Sequence, residues 1–218
     1  MMQRFKYDFV VVGAGSGGYA AARVARSLGA SVALVDKGPL GGLCILRGCM
    51  PSKALLASSD ALYDVRHAEK LGVRVGASVP DVPFAIRRKR ELVREFADYR
   101  IEGIREFPLY EAAARFLSPE ELLVGESTVL EARRFLVATG SVVAPPMLEG
   151  LEEAGYVDSD AVLELETLPE SAVVLGGGYV ACELGQYLAR MGVKTTIVIR
   201  APHLLSGDLI GRGAGADG

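Results

Sequence analysis

What most constrains this chain is a short apolar strand that runs straight into glycine. Tyr7 to Val12 reads as a buried strand, followed by Gly13-Ala14-Gly15-Ser16-Gly17-Gly18, an alanine-rich helix from about Gly18 to Leu28, and a second strand, Ser31 to Val35, that stops on Asp36. Each glycine has its own reason. Gly13 suits the tight turn, Gly15 lets a pyrophosphate approach the backbone, and Gly18 lets the helix lie close on the strand. An acid at the position of Asp36 suits the hydroxyls of an adenosine ribose. A glycine triplet alone also arises for packing, but strand, turn, helix, strand and acid in this order point to a dinucleotide site. The pattern recurs. Ala172 to Leu175 reads as a strand, Gly176-Gly-Gly-Tyr-Val-Ala181 as the turn with Ala181 in the third glycine's place, Tyr179 to Met191 as the helix, and Thr195 to Ile199 as the second strand. Two such units in one chain imply hydride relay between two cofactors.

Between them lies Gly41 to Lys53, reading Gly-Gly-Leu-Cys-Ile-Leu-Arg-Gly-Cys-Met-Pro-Ser-Lys. Pro51 suits the first turn of a helix, where a missing N–H costs nothing, so Cys49 is expected just ahead of a helix N-terminus. The partial positive charge there favours the thiolate, which is the nucleophilic form. A disulfide between Cys44 and Cys49 closes too short a loop to gain much from chain entropy, so a redox pair is the stronger reading and a structural staple the weaker. Zinc is the competing use, but only Cys182, His67 and His203 remain as soft ligands, at no paired spacing, and no metal is expected.

The 218 residues, half of them apolar, suffice for one or two domains, and the net charge of −3 provides no basic field for nucleic acid or anionic membrane. The basic run Arg87 to Arg90 is followed by Glu91, Arg94 and Glu95, which reads as a solvated helix face. The N-terminus resembles neither a signal peptide nor a membrane span, so a cytoplasmic protein is expected, in which three cysteines stay reduced unless a pair turns over chemically. Pro51 to about Leu71 and Phe84 to Phe107 read as helices, and Leu109 to Val137 as short strands. Phe135 to Gly140 is a strand closing the first domain, with Thr139 and Gly140 near the dinucleotide. Ser141 to Pro169 reads as connector, and Ser206 to Gly218 as a disordered tail. The fold expected is α/β: a Rossmann-like domain over 1–145, the start of a second over 146–205, and the tail over 206–218.

With these residues in view, the chain resembles the flavoprotein disulfide reductases, the family of glutathione reductase, dihydrolipoamide dehydrogenase and mercuric reductase. The resemblance runs in order from the first fingerprint through the cysteine stretch and Ala138-Thr139-Gly140 to the second fingerprint. Leu43 and Leu46 depart from it, standing where threonine and asparagine are usual. It implies FAD held by Gly13, Gly15, Gly18, Asp36, Lys37, Gly42, Ala138, Thr139 and Gly140, with Cys49 against the flavin and Cys44 as the outer thiol that attacks a small-molecule or protein disulfide. Lys53 is implied to approach the flavin and to pair with Glu183, and Tyr179 to cover the flavin until nicotinamide displaces it. Gly176, Gly178, Ala181 and Arg200 are implied for the nicotinamide cofactor. Because the second fingerprint's second strand ends on Ile199-Arg200 without an acid, NADPH is favoured over NADH.

The resemblance also implies a homodimeric parent whose further domain supplies a His-Glu acid–base pair. That pair is missing, so the chain reads as a truncated disulfide reductase. The alternative is a stand-alone flavin-binding or electron-transfer module without a disulfide substrate, in which Cys44, Cys49, Lys53 and Glu183 would be idle.

Overall fold

The structure is a computed structural model and describes residues 2–144 and 147–206. The chain divides into two compact units that interleave in sequence, one made of Met1–Met50 and Val93–Ala144, the other of Pro51–Leu92 and Pro145–Gly218. Most of the region expected as a tail lies outside the described residues.

The first unit is built on a six-stranded sheet. Strand β1 (Gln3–Val12) lies between β2 (Val32–Val35) and β6 (Thr128–Val137) and is parallel to both. A two-residue strand, β3 (Leu109–Tyr110), extends the parallel part beyond β2. On the other side β5 (Glu121–Val124) and β4 (Ala114–Ser118) continue the sheet antiparallel, giving the order β3-β2-β1-β6-β5-β4. The two-residue period of a strand sends neighbours to opposite faces. Val10, Ala33 and Val35 accordingly join one apolar cluster with Leu122, Val124 and Leu130, while Val11, Val32 and Leu34 join another with Ala22, Ile104 and Phe107. The second cluster packs helix α1 (Ser16–Ser27) and the end of α4 (Val82–Arg105) on the sheet.

The short helix α2 (Leu43–Leu46) carries Cys44, and α3 (Cys49–His67) begins on Cys49 itself rather than behind it. Pro51 is its third residue. The first four N–H groups of any helix lack intrahelical acceptors, so proline fits anywhere in that turn and the sequence alone does not set the first residue.

In the second unit the parallel pair β7 (Ser171–Leu175) and β8 (Lys194–Val198) is joined through α7 (Tyr179–Arg190). Leu184, Tyr187, Leu188 and Met191 of α7 share a core with Leu55 and Leu62 of α3 and with Ala85 and Ile86 of α4. The stretch expected as connector contains two single-turn helices, α5 (Leu151–Ala154) and α6 (Ser159–Val162). Asp158 caps α6 by accepting from the Ala161 N–H at 2.8 Å, and Leu163 just beyond it is buried in the same core.

The basic run and the charges after it form an exposed face, as expected, except at Lys89. Lys89 is 1% exposed and ion-paired to Glu164, while Arg90 reaches both Glu164, at 2.9 Å, and Glu166, at 2.6 Å. Charges at helical spacing are satisfied across the unit rather than along the helix, because the apolar face of α4 carries Lys89 into the interior. Burial tends to raise the Glu164 carboxyl, but its bonds to Lys89 and Arg90 outweigh that and hold it below its ordinary value of 4.5. A carboxylate depressed on folding stabilises above its ordinary value and loses that contribution as pH falls through the depressed one. Glu164→Gln should therefore cost about 1–2 kcal/mol in urea unfolding at neutral pH, discounted for the carboxylate's partial exposure, with the difference from the parent chain shrinking below about pH 4.5. A difference that persists unchanged into acid would contradict the pairing.

Candidate functional site

The first fingerprint forms a turn closed from three sides. Gly13 has φ +102°, a conformation that favours glycine, and its N–H donates to the Val35 carbonyl at 2.7 Å. A Cβ on Gly13 would lie 2.2 Å from the Ala138 carbonyl oxygen, and one on Gly18 would lie 1.8 Å from the Gly13 carbonyl oxygen. The roles read from sequence thus separate physically: Gly13 and Gly18 are packing glycines, and Gly18 lets α1 lie on β1. Gly15 differs. A Cβ there would meet only the Gly42 Cα, at 3.5 Å, and its backbone is extended before the helix. It is the N-cap of α1 with no capping side chain, and no acid occupies the first turn of α1. The positive end of that helix is left to an anion from outside the chain.

That turn opens on a cavity of about 550 Å³, within the range of small-molecule and cofactor sites. Gly13, Gly15, Asp36, Lys37, Gly42, Ala138, Thr139 and Gly140 line it. These eight of the predicted contacts come together because the strand ends do: Ala138 N–H donates to the Val12 carbonyl at 2.7 Å, continuing the β1–β6 register past the last strand residue. Asp36 accepts from the N–H of Ala14 and of Gly38, each at 2.7 Å, which orients its carboxylate beside the turn. A cavity of this size, a glycine turn with an uncapped helix behind it, and a carboxylate beside the turn fit a dinucleotide such as FAD.

Cys44 and Lys53 are not among the residues lining this cavity. Cys44 is a half-buried free thiol, Cys49 is exposed at the start of α3, and Lys53 lies one helical turn further along. In the second unit Lys53 Nζ donates to Glu183 Oε1 at 2.5 Å, and Ser52 Oγ donates to Glu183 Oε2 at 3.1 Å. Pairing across 130 positions was expected from the resemblance; the Ser52 contact was not, although the Pro51-Ser52-Lys53 run contained it.

The second fingerprint repeats the first in backbone detail. Gly176 has φ +114° and donates to the Val198 carbonyl at 2.9 Å, and Gly178 is the extended N-cap of α7. Ala181 sits in the first turn of α7, and Tyr179, its first residue, is 66% exposed. Arg200 is exposed two residues beyond β8. Leu43 and Leu46, the two departures from the resemblance, also line the cavity, whereas sequence reading missed Arg47 and the Ala112–114 stretch. The alanines arrive through β3, whose two residues are too few to give a periodic signal.

Among the described residues, no helix is long and apolar enough to cross a membrane, and no group of His, Cys, Asp and Glu could hold a metal ion.

The fold and site define an FAD-binding Rossmann-like domain of the kind found in flavoprotein disulfide reductases. The chain belongs to the pyridine nucleotide-disulphide oxidoreductase family, whose model matches residues 7–212. It is 35% identical over 203 residues to mercuric reductase of Streptomyces lividans, covering 89% of this chain and 43% of that protein. It is 31% identical over 207 residues to dihydrolipoyl dehydrogenase of Chlamydia pneumoniae, covering 92% of this chain and 44% of that one. Among solved structures it is similar to the Cu(II) complex of the HOCl-induced flavoprotein disulfide reductase RclA from Escherichia coli, with TM-score 0.77 and 26% identity over 92% of this chain and 44% of that one. The chain thus spans less than half the length of these relatives. The family is FAD-dependent, with NAD(P)H as electron donor.

The two kinds of glycine can be told apart. Gly18→Ala should lower the melting temperature sharply, since a backbone oxygen stands 1.8 Å from the new methyl. Gly15→Ala should leave melting nearly unchanged but weaken flavin binding, measured by quenching of flavin fluorescence. Equal melting losses in both would remove the distinction.

Proposed function

We propose that this chain carries the electron-delivery half of an FAD-dependent disulfide reductase. The observation that carries the reading is the dinucleotide cavity formed by the first fingerprint together with the Gly42 end of the cysteine stretch. When bound, FAD accepts two electrons as hydride from a nicotinamide cofactor and passes them to the Cys44–Cys49 disulfide, breaking the S–S bond to leave two reduced sulfurs. The chain's own groups bind and orient. Gly15 and the start of α1 hold the pyrophosphate, Asp36 the adenosine ribose, and Gly13 and Gly18 keep the turn tight enough for both.

Cys49 is the thiol on the flavin side, where the start of α3 favours its thiolate. Cys44, on the short helix before it, is the outer thiol: it attacks a substrate disulfide, expelling one substrate thiol and leaving a mixed disulfide, and Cys49 then attacks the Cys44 sulfur, re-forming the Cys44–Cys49 bond and expelling the second substrate thiol. Lys53 supplies a cation for negative charge on the reduced ring, and Glu183 orients that lysine. On this reading the parent is a homodimer that acts on a disulfide or related substrate, with its acid–base pair outside the matched segment. A reducing cytoplasm is the compartment it implies.

For the nicotinamide cofactor, Gly176, Gly178 and Ala181 form the phosphate turn, Tyr179 covers the flavin, and Arg200 is the contact for a 2′-phosphate, which favours NADPH.

Two measurements check this reading. Two-electron reduction of the flavin-loaded chain should give a long-wavelength absorbance band that is absent in Cys49→Ser and stronger in Cys44→Ser; a band surviving Cys49→Ser would reverse the two thiols. In stopped flow, NADPH should reduce the flavin with a higher second-order rate constant than NADH, and Arg200→Ala should narrow that preference by about tenfold. Faster reduction by NADH would overturn the NADPH assignment.

A further inference from the structure

The first turn of α1 has little side chain with which to hold itself in place. Gly15 caps it, Ser16, Gly17 and Gly18 follow, and Ser16 and Gly17 are exposed. Their N–H groups precede the first intrahelical bond, which the Tyr19 N–H makes to the Gly15 carbonyl at 2.9 Å. Tyr19 is thus the first large side chain after the phosphate turn, and contacts within the first unit hold its ring at face, edge and hydroxyl. The Arg100 guanidinium lies 4.7 Å from the ring centroid and that of Arg23 lies 5.8 Å from it. Phe107 meets the ring edge-on, with centroids 6.3 Å apart at 84°. A Cβ on Gly103, beside Arg100 on α4, would lie 2.1 Å from the Tyr19 hydroxyl oxygen. Arg100 Nη1 is buried without a hydrogen-bond partner among the described residues. Desolvating a guanidinium nitrogen without an acceptor is unfavourable, and the ring of Tyr19 is the contact that offsets it.

We propose that Tyr19 and Arg100 are positioning residues for the pyrophosphate of FAD, which neither of them touches. The cation on the ring fixes the Tyr19 end of the first turn, and with it the direction of the Ser16, Gly17 and Gly18 N–H groups. Donors fixed before the ligand arrives lose less on binding than donors the ligand must order. The assignment rests on the FAD reading above. It adds that a residue of α4, outside the cavity lining, sets how firmly the start of α1 holds phosphate.

Kd values for FAD and for riboflavin, which has no phosphate, are measured by flavin fluorescence on the full chain and on Arg100→Leu, Arg100→Lys, Tyr19→Leu and Tyr19→Phe, with melting temperatures alongside. Arg26→Gln, which removes a guanidinium 4.0 Å from the Phe107 centroid, is the control for packing between the same two helices. Arg100→Leu and Tyr19→Leu should each weaken FAD binding by about three- to tenfold and leave riboflavin binding unchanged. Arg100→Lys should fall between Arg100→Leu and the parent, and Tyr19→Phe, which keeps the ring, should match the parent. Arg26→Gln should lower the melting temperature and change neither Kd. Unchanged FAD affinity in Arg100→Leu, an equal loss for both flavins, or as large a loss in Arg26→Gln overturns the assignment. So does a loss in Arg100→Leu that Tyr19→Leu does not share, because the guanidinium then acts by charge without the ring. If Tyr19→Leu does not fold, Arg100→Leu and its partial rescue by Arg100→Lys decide. A parent chain that binds neither flavin overturns the FAD reading and this assignment with it, and that result is distinct because it is read before any variant is compared.

Discussion

The approach of Gly18 to the Gly13 carbonyl is the contact on which the first site depends. With 1.8 Å available to a Cβ, no other residue type lets α1 lie at that distance from β1. The separation sets where the uncapped start of α1 points, and so where an anion is received. Gly42 closes on Gly15 from the opposite side, at 2.5 Å from its own would-be Cβ, and brings the cysteine stretch to the same turn. Three chain segments distant in sequence thus meet through absent side chains, leaving backbone at the turn that faces the cavity. Polar backbone at this turn suits phosphate because its N–H groups are fixed before the ligand arrives, and little reorganisation is needed on binding.

The two lysine–glutamate pairs of the second unit show how one chemistry serves two ends. Lys89 is 1% exposed and bonded to Glu164, so its charge is consumed in holding α4 to the segment after α6. The Lys53 side chain is 56% exposed while bonded to Glu183, so the pair orients the ammonium without enclosing it. A buried, fully paired charge is structural, whereas an oriented and accessible one can answer charge that develops on a ligand.

Much of this was legible in the residues because glycine leaves a strong local mark. Both strand–turn–helix units, the parallel strand pairs and the acid at Asp36 follow from spacing alone, since each needs a particular residue at a particular backbone conformation. Other features were not legible. Lys89 read as one more charge on a solvated face, because nothing in Arg87 to Glu95 tells which charged residue the helix turns inward. Leu163 read as connector because a single buried leucine beside a one-turn helix gives no periodicity. The Ala112–114 stretch became cavity lining only through the pairing of β3 with β2, whose strands lie far apart along the chain.

The sequence by itself determined that two glycine-turned strand–helix–strand units occur, that two cysteines five positions apart sit between them, and which family this arrangement belongs to; these are properties of order, spacing and local conformation. Tertiary structure decided which glycines pack and which face the cavity, that Glu183 takes Ser52 as well as Lys53, and that Leu43, Leu46 and Arg47 form one wall of the site. The physical reason is the range of the forces involved. Backbone conformation is set within a few residues and is written locally, whereas burial, pairing and the shape of a cavity depend on which distant segments meet, and that is settled only when the sheet closes.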